Sequence, residues 1–212
     1  MTVMIKRITP VPDKGLVWVT LLLRGEGAEQ VQKEKYPLLL SQLEELGLQP
    51  GEIDEALADK IVYASGVCRA YVKGLTSLSY GDQSARALTY KLVQKGIAKE
   101  HAESAVQMLI GAGYLREDSA AVREAERSVA KLRSRRRVEY DLQAKGYDAR
   151  GVEVQAYLDE VDFDANCLLA LQKLCRHGVP EGEECEKLYR KMLSQGFTSA
   201  QIRNAFEVLD GQ

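Results

Sequence analysis

The chain has 212 residues, a formal net charge of −2 and 45% apolar side chains, enough to bury the core of one or two ordinary domains or of one extended array. A charged fraction of 28%, with apolar runs far short of the roughly 20 residues that cross a bilayer, excludes a helical membrane protein. The near-neutral balance does not advertise a nucleic-acid binder, and Met1 to Pro10 lack the basic-then-apolar pattern of a signal peptide, so a cytoplasmic chain is expected.

The first 25 residues read as β structure. Met4 to Ile8 is short and β-prone, Val11-Pro12-Asp13-Lys14-Gly15 is turn chemistry, and Leu16 to Leu23 is rich in β-branched and aromatic residues. A small hairpin is expected, with room for a further short strand near Glu29 to Lys33. A lone hairpin is unstable in water, so it must pack on helices or on a partner. A helical pattern begins at Pro37. Leu39, Leu43 and Leu46 form one stripe ended by Gly47, and Ile53, Leu57 and Ile61 form another.

Further on, one short phrase occurs three times: Lys95-Gly96-Ile97, Lys145-Gly146-Tyr147 and Gln195-Gly196-Phe197, with glycines 50 residues apart. Before each lies an i, i+4 apolar pair: Leu88 and Leu92, Val138 and Leu142, Leu188 and Met192. After each lies another stripe: Ala102, Val106 and Leu109; Val152, Ala156 and Leu158; Ile202, Phe206 and Leu209. A glycine between two amphipathic helices ends the first in the left-handed conformation, and the next apolar residue folds back on the helix just left. A period of this length marks a repeat array. Gly47 lies 49 residues before Gly96, which leaves open a degenerate fourth copy or an ordinary helix stop.

The expected architecture is mainly α: tandem three-helix repeats in an elongated curved array, with a small N-terminal β-hairpin. The expected divisions are 1–63 for the hairpin and helical extension, then repeats at 64–115, 116–161 and 162–212. The turn Gly81-Asp82-Gln83-Ser84 offers two possible N-cap residues, Ser134 and Asp148 are candidate helix caps, Pro180 suits a helix opening, and Thr198 with Gln201 forms a capping box.

The densest positive charge is Lys131-Leu132-Arg133-Ser134-Arg135-Arg136-Arg137, at the junction of the first two helices of the second repeat. Arg127 and Arg123 precede it at one-turn spacing. One reading is a solvated junction with Glu124 and Glu126 as partial counterions. The other is a binding surface for phosphate or an acidic partner. The second is preferred, because an uncompensated cluster repels itself and exposed pairs return only about 0–1 kcal/mol.

Catalytic constellations are lacking. There is no phosphate-binding G-x-x-x-x-G-K-[ST] and no G-x-G-x-x-G after a strand. His101 is expected at the surface, His177 at a helix end, and Glu181, Glu183, Glu184 and Glu186 at a helix start where the dipole favours them. Cys68, Cys167, Cys175 and Cys185 form no C-x-x-C pair and are expected to be reduced thiols on helices. A binding protein is expected, not an enzyme, with no cofactor and no metal.

These phrases together resemble the RecX family, bacterial regulators of the RecA recombinase. Ser84, Leu88, Leu92 and Lys95-Gly96 are similar to the family's first-repeat phrase, and Gly113-Tyr114-Leu115 to its Gly-Tyr-Leu corner. Val138, Leu142 and Lys145-Gly146 are similar to the second-repeat phrase, and Leu188 to Phe197, then Ile202, to the third. The hairpin with Leu46-Gly47-Leu48 resembles the extension of many Gram-positive members. Two departures stand out. Arg116-Glu117 replaces an Asp-Asp pair, and a glycine usual before the second middle helix is missing around Ser134. The resemblance implies a protein that lies in the groove of the RecA filament on single-stranded DNA and restrains RecA's ATPase, recombinase and coprotease activities in DNA repair and the SOS response. It implies a monomer, with direct DNA contact left open. Arg127, Lys131, Arg133, Arg135, Arg136 and Arg137, with Arg86 as a weaker addition, are the expected RecA- or DNA-facing residues. The alternative is a helical-repeat protein that binds nucleic acid without RecA.

Overall fold

A computed structural model describes residues 2–11, 14–24, 31–175 and 182–210. Pro180, His177, Glu181, part of the turn at Val11 to Gly15 and the start of the segment near Glu29 to Lys33 lie outside them. The described residues form four strands and ten helices. These are β1 (Thr2–Val11), β2 (Leu16–Arg24), β3 (Val31–Leu39), α1 (Leu40–Glu45), β4 (Gly51–Ile53), α2 (Glu55–Leu78), α3 (Ala85–Gln94), α4 (Lys99–Gly111), α5 (Glu117–Val129), α6 (Arg135–Ala144), α7 (Val152–Glu160), α8 (Phe163–Leu174), α9 (Glu183–Ser194) and α10 (Ser199–Asp210). The chain divides into two compact units, residues 1–81 with 88–115, and residues 82–87 with 116–212.

In the first unit the expected hairpin is the middle of a four-stranded antiparallel sheet, ordered β3-β2-β1-β4. Val17, Val19 and Leu21 alternate inward from β2, and Val3 and Ile5 from β1. Ile8 also packs on this core, although a regular strand would turn it away from Ile5. A register shift between Ile5 and Arg7 restores it to the inner face. β3 corrects the helical reading of residues 37–39. Tyr36 and Leu38 pair with Val19 and Val17, and Pro37 is tolerated because β3 is an edge strand. Helix begins only at Leu40. Gly47, with φ 57°, ends this six-residue helix, and a strand follows. That segment is therefore no fourth copy of the helical unit.

α1 and α2 pack against the inner face of the sheet, with Leu48, Ala58, Ile61 and Ala64 in its core. Gln42 is buried and joins α1 to α2 by donating to the Ala64 carbonyl at 3.1 Å. The stripes around Ile61 and Val67 belong to one 24-residue helix, continuous across residues 63 and 64 and capped by Asp54, which accepts from Leu57 N–H at 2.7 Å. α4 packs along α2 through Val67, Ala70 and Ala105. His101 is not a surface residue but half-buried. Its imidazole fills the space where a Cβ on Gly66 would stand, and it meets the Tyr63 ring edge-on at 4.9 Å.

In the second unit α5, α6 and α7 enclose Ala125, Val138, Leu142, Val154 and Leu158, while α8, α9 and α10 enclose Cys167, Leu171, Met192, Ile202 and Ala205. The inward stripe of α7 is Val154 and Leu158, not Val152, which is 86% exposed. Gly151 takes the N-cap position of α7. Asp148 instead accepts from Arg150 N–H at 2.9 Å and closes the preceding turn. Thr198 and Gln201 form the expected capping box at 3.0 and 3.2 Å.

The three glycine phrases have one geometry. Gly96, Gly146 and Gly196 take φ 80°, 84° and 88°. In each, the next residue's N–H returns to the carbonyl of Leu92, Leu142 or Met192, the Schellman arrangement. Tyr147 and Phe197 are buried by that return.

Candidate functional site

The basic run is divided between a turn and a helix. α5 ends at Val129, and Ser134 caps α6 by accepting from Arg137 N–H at 3.2 Å. Lys131 to Arg133 lie in the turn, and Arg135, Arg136 and Arg137 form the first turn of α6. Leu132 takes φ 57°, the conformation a glycine would supply. Its side chain packs on the Cys167 and Leu171 core, which offsets a backbone cost of about 1 kcal/mol.

Three guanidinium groups at a helix N-terminus oppose the helix dipole, which favours anions there by about 0.3–1 kcal/mol each. The fold supplies carboxylates to most of them. Arg135 reaches Glu139 at 3.4 Å, Asp159 at 2.6 Å and the Gln155 side-chain oxygen at 2.6 Å. Arg137 Nε lies 3.0 Å from Asp141 Oδ1, close but without the alignment of a hydrogen bond, and its guanidinium sits 5.2 Å from the Tyr140 ring centroid. Arg127 contacts Glu124 at 3.2 Å and Asp82 at 3.7 Å. Glu124 is buried and also takes the Lys145 ammonium at 2.5 Å. Arg123 grips Asp82 with two hydrogen bonds of 2.8 and 3.0 Å, and these hold the Asp82 carboxyl below the usual range.

The premise of an uncompensated cluster is therefore corrected. Asp82, Asp141, Glu139 and Asp159 answer Arg127, Arg137 and Arg135. Of these four, Glu139 and Asp141 were readable as i, i+4 partners. Asp82, in the loop before α3, and Asp159, on α7, are distant in sequence and leave no local signal.

Lys131, Arg133, Arg136 and Arg86 make no ion pair among the described residues. Lys131, Arg136 and Arg86 are exposed, and Arg133 is half-buried with its Nε unpartnered among the described residues. Arg86 and Arg136 occupy equivalent places 50 residues apart. A Cβ on Gly146 would lie 3.1 Å from Arg86 Cβ, and one on Gly196 would lie 3.5 Å from Arg136 Cβ. Between α6 and the Leu193–Gly196 corner an open cleft of about 280 Å³ is bordered by Arg136, Arg137 and Tyr140. Tyr140 is 60% exposed. Such a cleft joins a cation without an ion pair among the described residues to an exposed ring, which suits an anionic or aromatic partner.

No group of three or more His, Cys, Asp or Glu is placed to hold a metal ion among the described residues. No helix among them is long and apolar enough to cross a membrane.

Two solved structures share this fold, one of them over nearly the whole chain. The crystal structure of regulatory protein RecX matches with a TM-score of 0.71, covering 99% of this chain and 100% of that one. The chain has the RecX fold. The two sequences are 20% identical, so the agreement is one of architecture. RecX from Lactobacillus salivarius matches with a TM-score of 0.60 at 17% identity, covering 70% of this chain and 99% of its own. No family model and no curated protein matches the sequence.

Proposed function

We propose that this chain is a RecX-type regulator of the RecA recombinase, acting in the cytoplasm as a monomer. It binds the RecA filament on single-stranded DNA, in the filament groove, and restrains ATP hydrolysis, strand exchange and coprotease action. The observation that carries this reading is agreement with the RecX fold over 99% of the chain, together with repeat phrases in the family's register. Residues 64–115, 116–161 and 162–212 are proposed as the repeating units.

Within this reading the cations have two roles. Arg86, Lys131, Arg133 and Arg136 face the filament, because no carboxylate among the described residues neutralises them. Arg127, Arg135 and Arg137 support that face from within ion pairs. The test is the Lys131→Ala/Arg136→Ala/Arg86→Ala triple variant in a RecA ATPase assay. Loss of inhibition at an unchanged unfolding midpoint is expected. Full inhibition by the variant would remove the assignment. A second reading, direct nucleic-acid binding without RecA, is favoured by exposed Tyr140 beside Arg136. It predicts tight binding to bare DNA with a steep salt dependence.

A further inference from the structure

The N-terminal sheet has a second face that α1 and α2 do not cover, on which Thr20 and Pro37 are buried while Trp18 and several cations are exposed. Cross-strand register places its residues in rungs. Trp18 stands between Thr9 and Pro37, Thr20 between Arg7 and Lys35, Leu22 between Met4 and Lys33, and Arg24 opposite Thr2. The inner face carries Val17, Val19, Leu21, Tyr36 and Leu38 and meets α1 and α2. On the outer face Arg7, Arg24, Lys33 and Lys35 are exposed, and Glu52, opposite Met4 on β4, is the only described carboxylate in register with them. Four cations against one anion stand on this face of a chain whose net charge is −2. Trp18 is 41% exposed, although a tryptophan on a strand normally buries its ring.

Neither Thr9 nor Pro37 projects as far from the sheet as an indole. Trp18 therefore offers a ring on a flat surface with Arg7 and Lys35 one rung away, about 7 Å along the strand. Arg7 Nε donates to Thr9 Oγ1 at 2.9 Å, which holds that guanidinium beside the Trp18 rung. An aromatic ring on an open sheet, flanked by cations, matches two features of one class of polymer. The ring stacks on an unpaired base and the cations take its phosphates. A duplex meets only half of this, because its bases are already stacked.

We propose that the outer face of this sheet is a binding platform for single-stranded nucleic acid, with Trp18 as the base-stacking residue and Arg7, Lys33 and Lys35 as phosphate contacts. This surface shares no residue with the arginine run, and its binding does not depend on RecA.

The chain contains one tryptophan, so intrinsic emission reports Trp18 alone. The experiment titrates the full chain, without RecA, with a 20-nucleotide oligo-dT and with a duplex of equal length, following Trp18 emission and the anisotropy of labelled oligo-dT. Saturable quenching by oligo-dT, and much weaker quenching by the duplex, is expected. Trp18→Ala should weaken binding by about tenfold or more, and Trp18→Phe should retain most of it. Lys33→Ala/Lys35→Ala should weaken binding and flatten the salt slope by roughly 0.7 per lost phosphate contact. Lys173→Ala, which removes an exposed cation of α8 that belongs to neither basic surface, should leave the quenching unchanged. Absence of binding at low salt, equal binding of the duplex, or oligo-dT binding that neither Trp18 emission nor Trp18→Ala registers would overturn the proposal. The first of these outcomes would leave the face to a protein partner.

Discussion

Ser134 Oγ donates to the Gln195 carbonyl at 2.8 Å while accepting from Arg137 N–H at 3.2 Å. One hydroxyl thus caps α6 and takes up a free carbonyl at the end of α9. Ser84 does the same 50 residues earlier, donating to the Lys145 carbonyl at 2.7 Å and accepting from Ala87 N–H at 3.1 Å. The sequence period is therefore also a spatial one, since each serine closes the glycine corner of the following repeat.

Ser84→Ala and Ser134→Ala should each lower stability by about 2 kcal/mol. Roughly half is the lost cap, and the rest is the carbonyl left without its donor. Urea denaturation checks this, and an unshifted midpoint in either variant would show the clasp to be incidental.

The three glycines should respond unequally to alanine. All three would carry the strain of a positive φ, about 1 kcal/mol. A Cβ at Gly96 meets nothing within 4 Å, whereas at Gly146 and Gly196 it would stand 2.7 and 2.6 Å from the Ser84 and Ser134 hydroxyls. Gly96→Ala should therefore be the mildest in thermal unfolding. Equal costs at all three sites would reject the steric account.

Arg135 and Arg136 are neighbours with opposite stability roles. Arg135→Ala should cost about 1 kcal/mol, because it leaves Glu139, Asp159 and Gln155 without their partner. Arg136→Glu places an anion in the first turn of α6 and should raise stability by up to about 0.5 kcal/mol while weakening RecA inhibition. Paired denaturation and ATPase measurements separate the two effects.

Stability should fall at both ends of the pH range for identifiable reasons. The Asp82 carboxyl is depressed by its hydrogen bonds from Arg123. Its contribution is present above the ordinary carboxylate range, near pH 4, and is lost as pH falls through the lower folded-state value. Asp82→Asn should flatten the acid limb. Burial raises the Cys68 and Cys167 thiols to about 11. They stay neutral in the fold where the unfolded chain ionises, so stability should decline as pH rises above about 9. Both should also resist alkylation at pH 8 until the chain unfolds, while half-exposed Cys175 and Cys185 react first. Mass spectrometry of partly alkylated protein reads this order.

Local chemistry alone was enough for the repeats. Glycine stops, i, i+4 apolar pairs and the caps at Ser134 and Thr198 act within a few residues and stand where the spacing places them, while the turn before α3 offered two cap candidates, of which Ser84 is the cap. The fourth strand, the bulge that turns Ile8 inward and the strand conformation of Pro37 were not legible. They depend on pairing with residues far along the chain, where tertiary contact outweighs local propensity. The site divides in the same way. The sequence located the arginine run, because charge density is visible in one dimension. Which arginines lack an ion pair among the described residues was decided only in three dimensions, by Asp82 from the loop before α3 and Asp159 from α7 neutralising Arg127 and Arg135, while Arg136 beside the Gly196 corner meets no carboxylate among them. An ion pair needs two groups within about 4 Å, and for these pairs the fold, not the spacing, sets that distance.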